Sequence, residues 1–408
     1  MARILLTLLL FLFTARAECV LKQGDRIMVL GDSNTQSGLY VVALDLLIRT
    51  RLPASGIEVV PLGLASETLS GTSEKDHPFP RPDVHERLGR AFEKVQPTVV
   101  LFCYGMNDGI YAPPDAGRMA LFQKGVKDIA AMAAQSKARL VAITPPPFDP
   151  KSYKGAMAAE GAAEFGYRAP WPRYNETLTG YAKWLREEPG LADAVADVHT
   201  PLSAHIASWH ASHQGWSSGD GIHPIPAIHW LMAGLIAEAL ELPPAAAEVF
   251  AGEPGADGAW TIEVEGMPPL AHPKDAPAGF FEAAGFQKSM NRFTLTMPRA
   301  PAAVMRLKLG DQLLGMVTRN QLARGVDLTR YTSLSFNRDA TAALGPALER
   351  HHLLSDAWRD HVGHTRPSTG KSKFTLEEAQ AAAAPLEAKL KMLLAVRKET
   401  LRLEAVGP

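Results

Sequence analysis

A serine on a sharp turn is the first residue in the chain that could carry out covalent chemistry. Ser33 lies in the block Gly31–Asn34, of sequence Gly-Asp-Ser-Asn, directly after an apolar run. A serine between a strand and a helix is held at the open end of a sheet, and the first amides of the helix can stabilise an anion beside it. The block therefore predicts a nucleophile, although a serine that caps a helix would fit the same four residues.

A histidine much later in the chain could activate such a serine. His223 belongs to the block Asp220–Pro224, of sequence Asp-Gly-Ile-His-Pro, in which Asp220 precedes it by three residues. A carboxylate at this spacing can hold one ring nitrogen of the histidine while the other nitrogen faces a nucleophile. Taken alone, the pattern is more often a solvated turn, so its weight comes from the blocks that accompany it.

Two further blocks could supply the donors that stabilise a negatively charged oxygen. Gly63–Thr68 and Gly105–Asp108 each follow an apolar run. A backbone N–H from one loop and the side chain of Asn107 from the other can converge on an oxyanion that develops during acyl transfer. Either block alone fits an ordinary turn, but the four blocks in this order favour a single site.

The elements that must position these blocks follow from the hydropathy pattern. From residue 26 to about 243, short apolar runs alternate with segments of helical periodicity, which is typical of a parallel sheet with crossover helices. We predict a doubly wound α/β domain whose ligands bind beyond the carboxyl ends of the strands. The predicted strands cover residues 27–30, 57–62, 98–104, 139–144 and 194–198, and the predicted helices include 40–52, 84–94, 122–135 and 178–187.

Together the four blocks resemble the SGNH (GDSL) hydrolase superfamily, over roughly residues 26–243. The resemblance implies a flavodoxin-like α/β fold with a five-stranded parallel sheet, and ester hydrolysis without a metal or another cofactor. It implies that Ser33 is the nucleophile, that His223 is the general base and acid, and that Asp220 orients the histidine. The implied oxyanion hole comprises the backbone N–H groups of Ser33 and Ser66 and the side chain of Asn107, supported by the motif residues Gly31, Asp32, Gly63 and Gly105.

The second block departs from the pattern of that superfamily, which usually reads Asn-x-Gly-x-x-Gly-x-Thr. This chain has Pro61 in place of the asparagine and Ser66 in place of the second glycine. A serine still has a backbone N–H, so the donor survives if the local backbone conformation accepts a residue with a Cβ atom. The sequence Ser-Glu-Thr at 66–68 and the block Tyr104–Tyr111 look most like a subgroup of exported esterases with a C-terminal extension.

Other residues that resemble functional motifs carry less weight. The segment Gly215–Gly219 fits the Gly-x-Ser-x-Gly elbow of α/β-hydrolases, but polar residues precede it where that motif needs an apolar strand. Cys103 lies inside an apolar run, which favours a buried, unreactive thiol. His229 lies on the predicted helix after Pro224, where we expect it to pack against neighbouring side chains. The histidines at 77, 85, 199, 205, 210 and 213 form no recognisable metal-site pattern.

The length of 408 residues favours more than one domain. We predict a catalytic domain over 22–243 that contains a long loop, rich in Gly, Pro and Ala, at 145–172. A loop of this length in a compact domain more often forms the wall or the lid of a site than a plain connection between elements. A linker is expected over 244–258, a small β-rich unit with a hairpin over 259–330, and a helical region over 331–408.

The C-terminal part of the chain carries several helix signals. Thr318 with Gln321, and Thr375 with Glu378, form capping boxes that start helices. Pro385 is expected to kink the last helical segment or to begin a second helix. An apolar stripe on that segment, which we expect to pack on the neighbouring domain, comprises Leu386, Leu390, Leu393, Leu394 and Leu401.

The N-terminus predicts export. Residues 1–17 combine Arg3, an apolar run over 4–13 and small residues at 15 and 17, which are the three parts of a secretory signal peptide. We therefore expect a periplasmic or extracellular protein without stable membrane insertion after the signal is removed. With 42 Lys and Arg residues against 43 Asp and Glu residues, the net charge of −1 gives no long-range attraction to nucleic acid. The oligomeric state is left open.

These patterns predict an exported serine esterase that acts through an acyl-enzyme on small-molecule or polysaccharide esters. By analogy with secreted members of the superfamily, we expect it to remove acetyl groups from carbohydrate. A lipolytic short-chain esterase or lysophospholipase is the alternative. A third interpretation, from a different class, is an extracellular glycan-binding module that has kept the fold without turnover.

Overall fold

The computed structural model describes residues 20–244, 248–251, 254–286, 291–367 and 369–406. The signal peptide predicted at residues 1–17 lies outside the described residues. No helix in the described ranges is both long enough and apolar enough to cross a membrane.

A five-stranded parallel sheet forms the centre of the N-terminal domain, as the alternating pattern predicted. Its strands are β1 (Arg26–Gly31), β2 (Glu58–Gly63), β3 (Val99–Cys103), β4 (Arg139–Ile143) and β5 (Ala194–Ala196). Their spatial order, β2-β1-β3-β4-β5, is the flavodoxin-like order. Gly31 at the end of β1 lies opposite Gly63 on one side and Cys103 on the other. The loops that carry the first three blocks therefore leave the sheet at the same level.

Helices cover both faces of this sheet. They are α1 (Ser33–Gln36), α2 (Leu39–Arg51), α3 (His85–Val95), α4 (Ala116–Gln135), α5 (Asn175–Glu187), α6 (His199–Ser212) and α7 (Pro226–Ala239). Ile27 and Val29 belong to the apolar cluster that contains α2 and α7, whereas Met28 and Leu30 belong to the cluster that contains α3 and α4. A strand buried on both faces needs apolar side chains at successive positions, which explains the continuous apolar runs.

The C-terminal region forms a second, antiparallel sheet. Its strands in chain order are β6 (Glu248–Ala251), β7 (Trp260–Gly266), β8 (Thr294–Leu295), β9 (Val304–Leu309), β10 (Gln312–Thr318), β11 (Val326–Asp327) and β12 (Arg397–Ala405). Five of them pair in the order β10-β9-β12-β7-β6, and β8 pairs with β11. The predicted hairpin is confirmed as β9 and β10, with Gly310 in the turn.

Helices connect and cover this second sheet. They are α8 (Phe280–Ala283), α9 (Arg319–Arg324), α10 (Ser335–Val362) and α11 (Leu376–Leu393), with a short 3₁₀ turn at Leu328–Arg330. Both predicted capping boxes are confirmed, because Thr318 caps α9 and Thr375 caps α11. Leu390 and Leu393 of α11 are buried in the same apolar cluster as α2 and α7. This part of the predicted stripe therefore packs on the catalytic domain, as expected.

The predicted helical region over 331–408 contains two long helices but also a strand that was not predicted. Strand β12 runs through the middle of the antiparallel sheet, between β9 and β7. Leu401 lies on this strand, opposite Ile262 and Leu309, and not on the helical stripe. Leu401 and Leu403 are buried while Thr400 is exposed, which is the two-residue alternation of a strand. Leu401 continues the helical spacing of the leucines in α11, so the sequence pattern did not reveal the change from helix to strand.

Two smaller predictions for the same region are also corrected. Strand β6 lies inside the segment 244–258 that was predicted as a linker, because Glu248–Ala251 pairs with β7. Of the two outcomes predicted for Pro385, a kink or a second helix, the second is wrong, because Pro385 lies within α11. Ala383 and Leu390 of this helix, one on each side of Pro385 in the chain, are buried, and tertiary packing of this kind can outweigh the cost of the missing N–H.

Candidate active site

The structure brings Ser33, His223 and Asp220 into one hydrogen-bonded chain, although 190 residues separate the serine from the histidine. Ser33 Oγ lies 2.9 Å from His223 Nε2, and His223 Nδ1 lies 2.9 Å from Asp220 Oδ2. The other carboxylate oxygen of Asp220 accepts the backbone N–H of His223 at 2.6 Å. With Nδ1–H donating to the carboxylate, Nε2 is free to accept the serine hydroxyl.

The turn that carries Ser33 is built by close packing behind it. Ser33 is the first residue of α1, and Asp32 caps this helix by accepting the Asn34 N–H at 2.9 Å. A Cβ atom on Gly31 would lie 2.0 Å from Thr35 Oγ1, so no larger residue fits at that position. Gly31 and Asp32 thus shape the turn that holds Ser33.

The second block is bound to the same turn. The Leu64 N–H donates to the Gly31 carbonyl at 2.8 Å, and the Ala65 N–H donates to Gln36 Oε1 at 2.6 Å. A Cβ atom on Gly63 would lie 2.3 Å from the backbone nitrogen of Gln36. Gly63 is therefore needed for the close approach of this loop to α1.

Ser66 adopts the backbone conformation that its position in the motif requires. Its φ of +69° lies in the left-handed region, where a glycine is normally found. Its carbonyl accepts Nη1 of Arg81 at 3.4 Å, and Arg81 is buried in a paired contact with Glu74. Ser66 thus takes the place of the usual glycine at a cost in backbone strain. It keeps the backbone N–H that a glycine would offer at this position.

Asn107, the predicted side-chain donor, is oriented by contacts at both ends of its amide. Its Nδ2 donates to the Glu67 carbonyl at 3.1 Å, and its Oδ1 accepts the Tyr111 hydroxyl at 3.2 Å. Nδ2 carries a second hydrogen that this contact does not use. Asn107 is thereby joined to the residue that follows Ser66, as convergence on one oxyanion requires.

Asp108 joins the second block to the third. Its Oδ1 accepts the N–H groups of Leu69 and Ser70 at 2.7 and 2.8 Å, and its Oδ2 accepts the N–H of Gly105 at 3.0 Å. Burial raises the pKa of Asp108 to about 6. The sequence named Asp108 as part of a block but did not predict this role between two loops.

A buried ion pair fixes the loop beneath Ser66. Arg87 on α3 contacts both carboxylate oxygens of Glu67 at 2.6 Å, and the Tyr104 hydroxyl donates to Glu67 at 2.5 Å. Arg87 and Glu67 are almost completely buried. Sequence reasoning missed this cluster, for which the one available signal was a charged residue inside a motif that otherwise consists of small residues.

Electrostatics at the hydrogen-bonded chain favour a charged carboxylate beside a basic imidazole. Burial opposes ionisation of Asp220, but hydrogen bonds from His223 outweigh it and lower the pKa of Asp220 to about 2. Burial lowers the pKa of His223, but the contact with Asp220 outweighs this and leaves it above its ordinary value. Burial also raises the pKa of Asp32 to about 7. The side chains of His223 and Asp220 are 47% and 54% exposed, so a bulky substrate can reach them.

Part of the loop at 145–172 lies beside the histidine, as expected for the wall of a site. Tyr153 packs against Gly221 through its Cα and Cβ atoms, and its hydroxyl donates to the Tyr167 carbonyl at 2.7 Å. The Tyr167 ring lies 5.5 Å from the ring of His77, measured between centroids. All three rings are half-buried. They form a partly exposed aromatic wall next to the histidine loop.

The rejected elbow at Gly215–Gly219 has a structural role. Ser218 is buried, and its hydroxyl donates to Asp149 at 2.5 Å, where Ser152 and His210 also bind. Asp149 thus links the loop at 145–172 to the loop that carries His223. Within the described ranges, no group of three or more His, Cys, Asp or Glu side chains is arranged to hold a metal ion.

Comparisons with known proteins bear on the family and the fold. Residues 29–231 match the GDSL-like Lipase/Acylhydrolase family. Among solved structures, a gut microbial diltiazem-metabolizing enzyme is similar over 95% of this chain and 98% of its own, with a TM-score of 0.71 and 17% identity. An acetylxylan esterase from Geobacillus stearothermophilus is similar over 54% of this chain and 95% of its own, with a TM-score of 0.40 and 16% identity. A search of curated proteins gave no match.

Proposed function

Residues 29–231 form a domain of the GDSL-like lipase/acylhydrolase family of ester-hydrolysing enzymes, and from this premise we propose that the protein is an exported serine esterase. In this proposal it removes acetyl groups from carbohydrate through an acyl-enzyme. The observation that carries the proposal is the hydrogen-bonded chain from Asp220 through His223 to Ser33, with Asn107 bound to the second block at the Glu67 carbonyl.

In the first half of the proposed reaction, Ser33 Oγ attacks the carbonyl carbon of the ester while its proton passes to His223 Nε2. The carbonyl oxygen becomes negatively charged and is stabilised by the N–H groups of Ser33 and Ser66 and by Asn107 Nδ2. The bond from carbon to the alcohol oxygen then breaks. His223 gives its proton to the departing alcohol, which leaves an ester of Ser33 with the acyl group.

In the second half, water replaces the alcohol. His223 Nε2 takes a proton from the water as its oxygen attacks the acyl carbon, and the oxyanion forms again at the same donors. The bond to Ser33 Oγ breaks, the serine regains its proton from His223, and the free acid leaves. Throughout, Asp220 holds the imidazole by Nδ1 and stabilises its positive charge.

The openness of the site supports a carbohydrate ester as substrate. About half of the His223 side chain is exposed, so the alcohol part of the ester is free to extend into solvent. The partly exposed rings of Tyr153, Tyr167 and His77 offer flat apolar faces. A sugar ring has apolar C–H faces and a polar rim, which suits such a wall.

The test compares hydrolysis of p-nitrophenyl acetate by the purified protein and by its Ser33→Ala variant. Ser208→Ala is the matched control, because Ser208 is an exposed serine on α6 and has no role in the proposed reaction. We expect turnover in the wild type and the control, and a loss of about 10³-fold or more in Ser33→Ala. Equal turnover in all three proteins would reject Ser33 as the nucleophile.

The acyl and alcohol preferences are tested next, on the same proteins. A serine esterase specific for acetyl groups loses activity from acetyl to butyryl and octanoyl esters, and it releases acetate from acetylated xylan or acetylated oligosaccharides. A rise in activity with chain length would instead favour a lipolytic enzyme. Glycan binding without turnover would favour a binding module.

Fractionation of cells that express the full chain tests export. We expect the protein in the periplasm or in the medium.

A further inference from the structure

The Tyr111 hydroxyl reaches the Asn107 amide from within the protein. It donates to Asn107 Oδ1 at 3.2 Å, and the Tyr111 side chain is almost completely buried. We propose that Tyr111 is a positioning residue of the oxyanion hole, which orients the Asn107 amide so that Nδ2 faces the reacting carbonyl. This inference rests on the proposed function, because it assigns Tyr111 a role in the same reaction.

The contacts of Asn107 fix which way its amide points. The Glu67 carbonyl can only accept a hydrogen bond, so the end of the amide that contacts it at 3.1 Å must be the NH₂ group. The opposite end of the amide is then Oδ1, which accepts a hydrogen bond from the Tyr111 hydroxyl. Burial raises the pKa of Tyr111, so this hydroxyl keeps its proton. The two contacts together leave one hydrogen of Nδ2 for the oxyanion.

The backbone is strained where it turns Tyr111 back towards Asn107. Ile110 has a φ of +46° and Tyr111 a φ of +57°, so two successive residues with bulky side chains lie in the left-handed region. Hydrogen bonds hold this turn, from the Ile110 N–H to the Asn107 carbonyl and from the Trp171 N–H to the Tyr111 carbonyl. Such strain persists where surrounding contacts determine the conformation, and it concentrates at functional sites.

The Tyr111 ring is enclosed by groups from other parts of the site. The Tyr174 ring lies 5.0 Å away, and the Arg81 guanidinium lies 5.7 Å from the ring centre. Tyr174 also donates to the Met106 carbonyl at 2.6 Å, immediately before Asn107. The position of the hydroxyl is therefore set by packing, and its contact with Oδ1 does not depend on a mobile side chain.

The experiment is a double-mutant cycle between positions 111 and 107, measured by kcat and KM on p-nitrophenyl acetate. Tyr111→Phe removes only the hydroxyl, and we expect kcat to fall about 10-fold or more while KM changes less than about 3-fold. In an Asn107→Ala background, the same change should have almost no further effect on kcat, because its target is gone. A fall of equal size in both backgrounds would overturn the proposal.

Tyr181→Phe is the matched control. Tyr181 is also a buried tyrosine, and its hydroxyl has no hydrogen-bond partner among the described residues. Its replacement should leave kcat unchanged, and a fall like that of Tyr111→Phe would show a general effect of removing a buried hydroxyl. Ser33→Ala in the same assay tests the proposed function separately.

A crystal structure of Tyr111→Phe gives a readout that does not depend on turnover. We expect the Asn107 amide to rotate or to occupy more than one orientation in the variant, while it has a single orientation in the wild type. An unchanged Asn107 in the variant would overturn the positioning role even if the esterase activity is established. Loss of order in Asn107 without any wild-type turnover would instead reject the proposed function and leave the contact itself confirmed.

Discussion

The imidazole of His351 fills the space beside Gly38, just behind the turn that begins with Ser33. A Cβ atom on Gly38 would lie 2.2 Å from Nε2 of His351, and His351 is only 5% exposed. Burial lowers the pKa of His351 to about 3, so the imidazole is neutral in this contact. A residue of the C-terminal helix α10 therefore packs directly on the segment that ends α1.

Charged residues strengthen the same contact between the two parts of the chain. Glu387 on α11 contacts Arg49 of α2 at 2.5 Å and Arg350 of α10 at 2.9 Å. These side chains are mostly buried, so their attraction is less screened than that of a surface pair. Helices α10 and α11 thus pack on the catalytic domain through charged contacts as well as through the apolar stripe.

The first prediction concerns Gly38→Ala. The substitution places a methyl group against His351 in a backbone with a φ of +77°, so both overpacking and conformational strain oppose folding. We expect the free energy of unfolding to fall by about 2–4 kcal/mol in urea denaturation. Gly24→Ala is the control, because Gly24 has a φ of +76° but nothing within 4 Å of the added Cβ atom. Equal losses in the two variants would show that His351 does not confine Gly38.

The second prediction concerns the pH dependence of hydrolysis. His223 must be neutral to accept the serine proton, so kcat/KM should rise with pH as the imidazolium loses its proton. Because Asp220 outweighs burial and raises the pKa of His223, the midpoint should lie above the ordinary value of 6.5. In Asp220→Asn the negative charge is lost, so the midpoint should move to lower pH and kcat should fall by about 10²- to 10⁴-fold.

The control for that pH profile is Asp32→Asn. Burial raises the pKa of Asp32 to about 7, so this carboxyl could produce a similar limb. If the limb belongs to His223, it should persist in Asp32→Asn at a slightly lower pH, because the Asp32 charge also raises the pKa of His223. Disappearance of the limb in Asp32→Asn would assign it to Asp32 instead.

The third prediction concerns the serine that replaces a glycine in the second block. If the reaction uses only the Ser66 N–H, then Ser66→Ala and Ser66→Gly should both keep kcat within about 3-fold of the wild type. Ser66→Gly should also relieve the strain of a φ of +69°. A large loss in Ser66→Ala would show that the hydroxyl takes part.

The sequence was most informative where function depends on local geometry. The glycines at 31 and 63 mark close approaches of backbone, and Asp220 reaches His223 within one turn, so short motifs contain the information. The five strands were predicted because burial on both faces requires apolar runs. Strand β12 was missed because its partners, β7 and β9, lie far away in the chain, and only their pairing stabilises it.

The contacts that support the site were harder to predict for the same reason. Arg87 and Glu67 are 20 residues apart, and their pairing depends on how α3 packs against the sheet. Tyr111 and Asn107 are only four residues apart. Their contact, however, requires two successive residues with left-handed backbone conformation, and neither of these is a glycine. Tertiary packing imposes both, so neither leaves a local pattern.

The last prediction concerns the buried pair of Arg87 and Glu67. Removal of one partner leaves an unpaired charge in the interior, so Arg87→Leu should lower the free energy of unfolding by about 3–5 kcal/mol in urea denaturation. Because Glu67 carries the carbonyl that contacts Asn107, kcat should fall in the same variant. The double variant Arg87→Leu/Glu67→Leu should regain part of the stability, since no charge is left unpaired.

Arg26→Ala is the control, because it breaks a half-exposed pair with Glu58 and should cost less than about 1 kcal/mol. A loss in Arg87→Leu as small as in this control would overturn the interpretation of Arg87 and Glu67 as a buried ion pair.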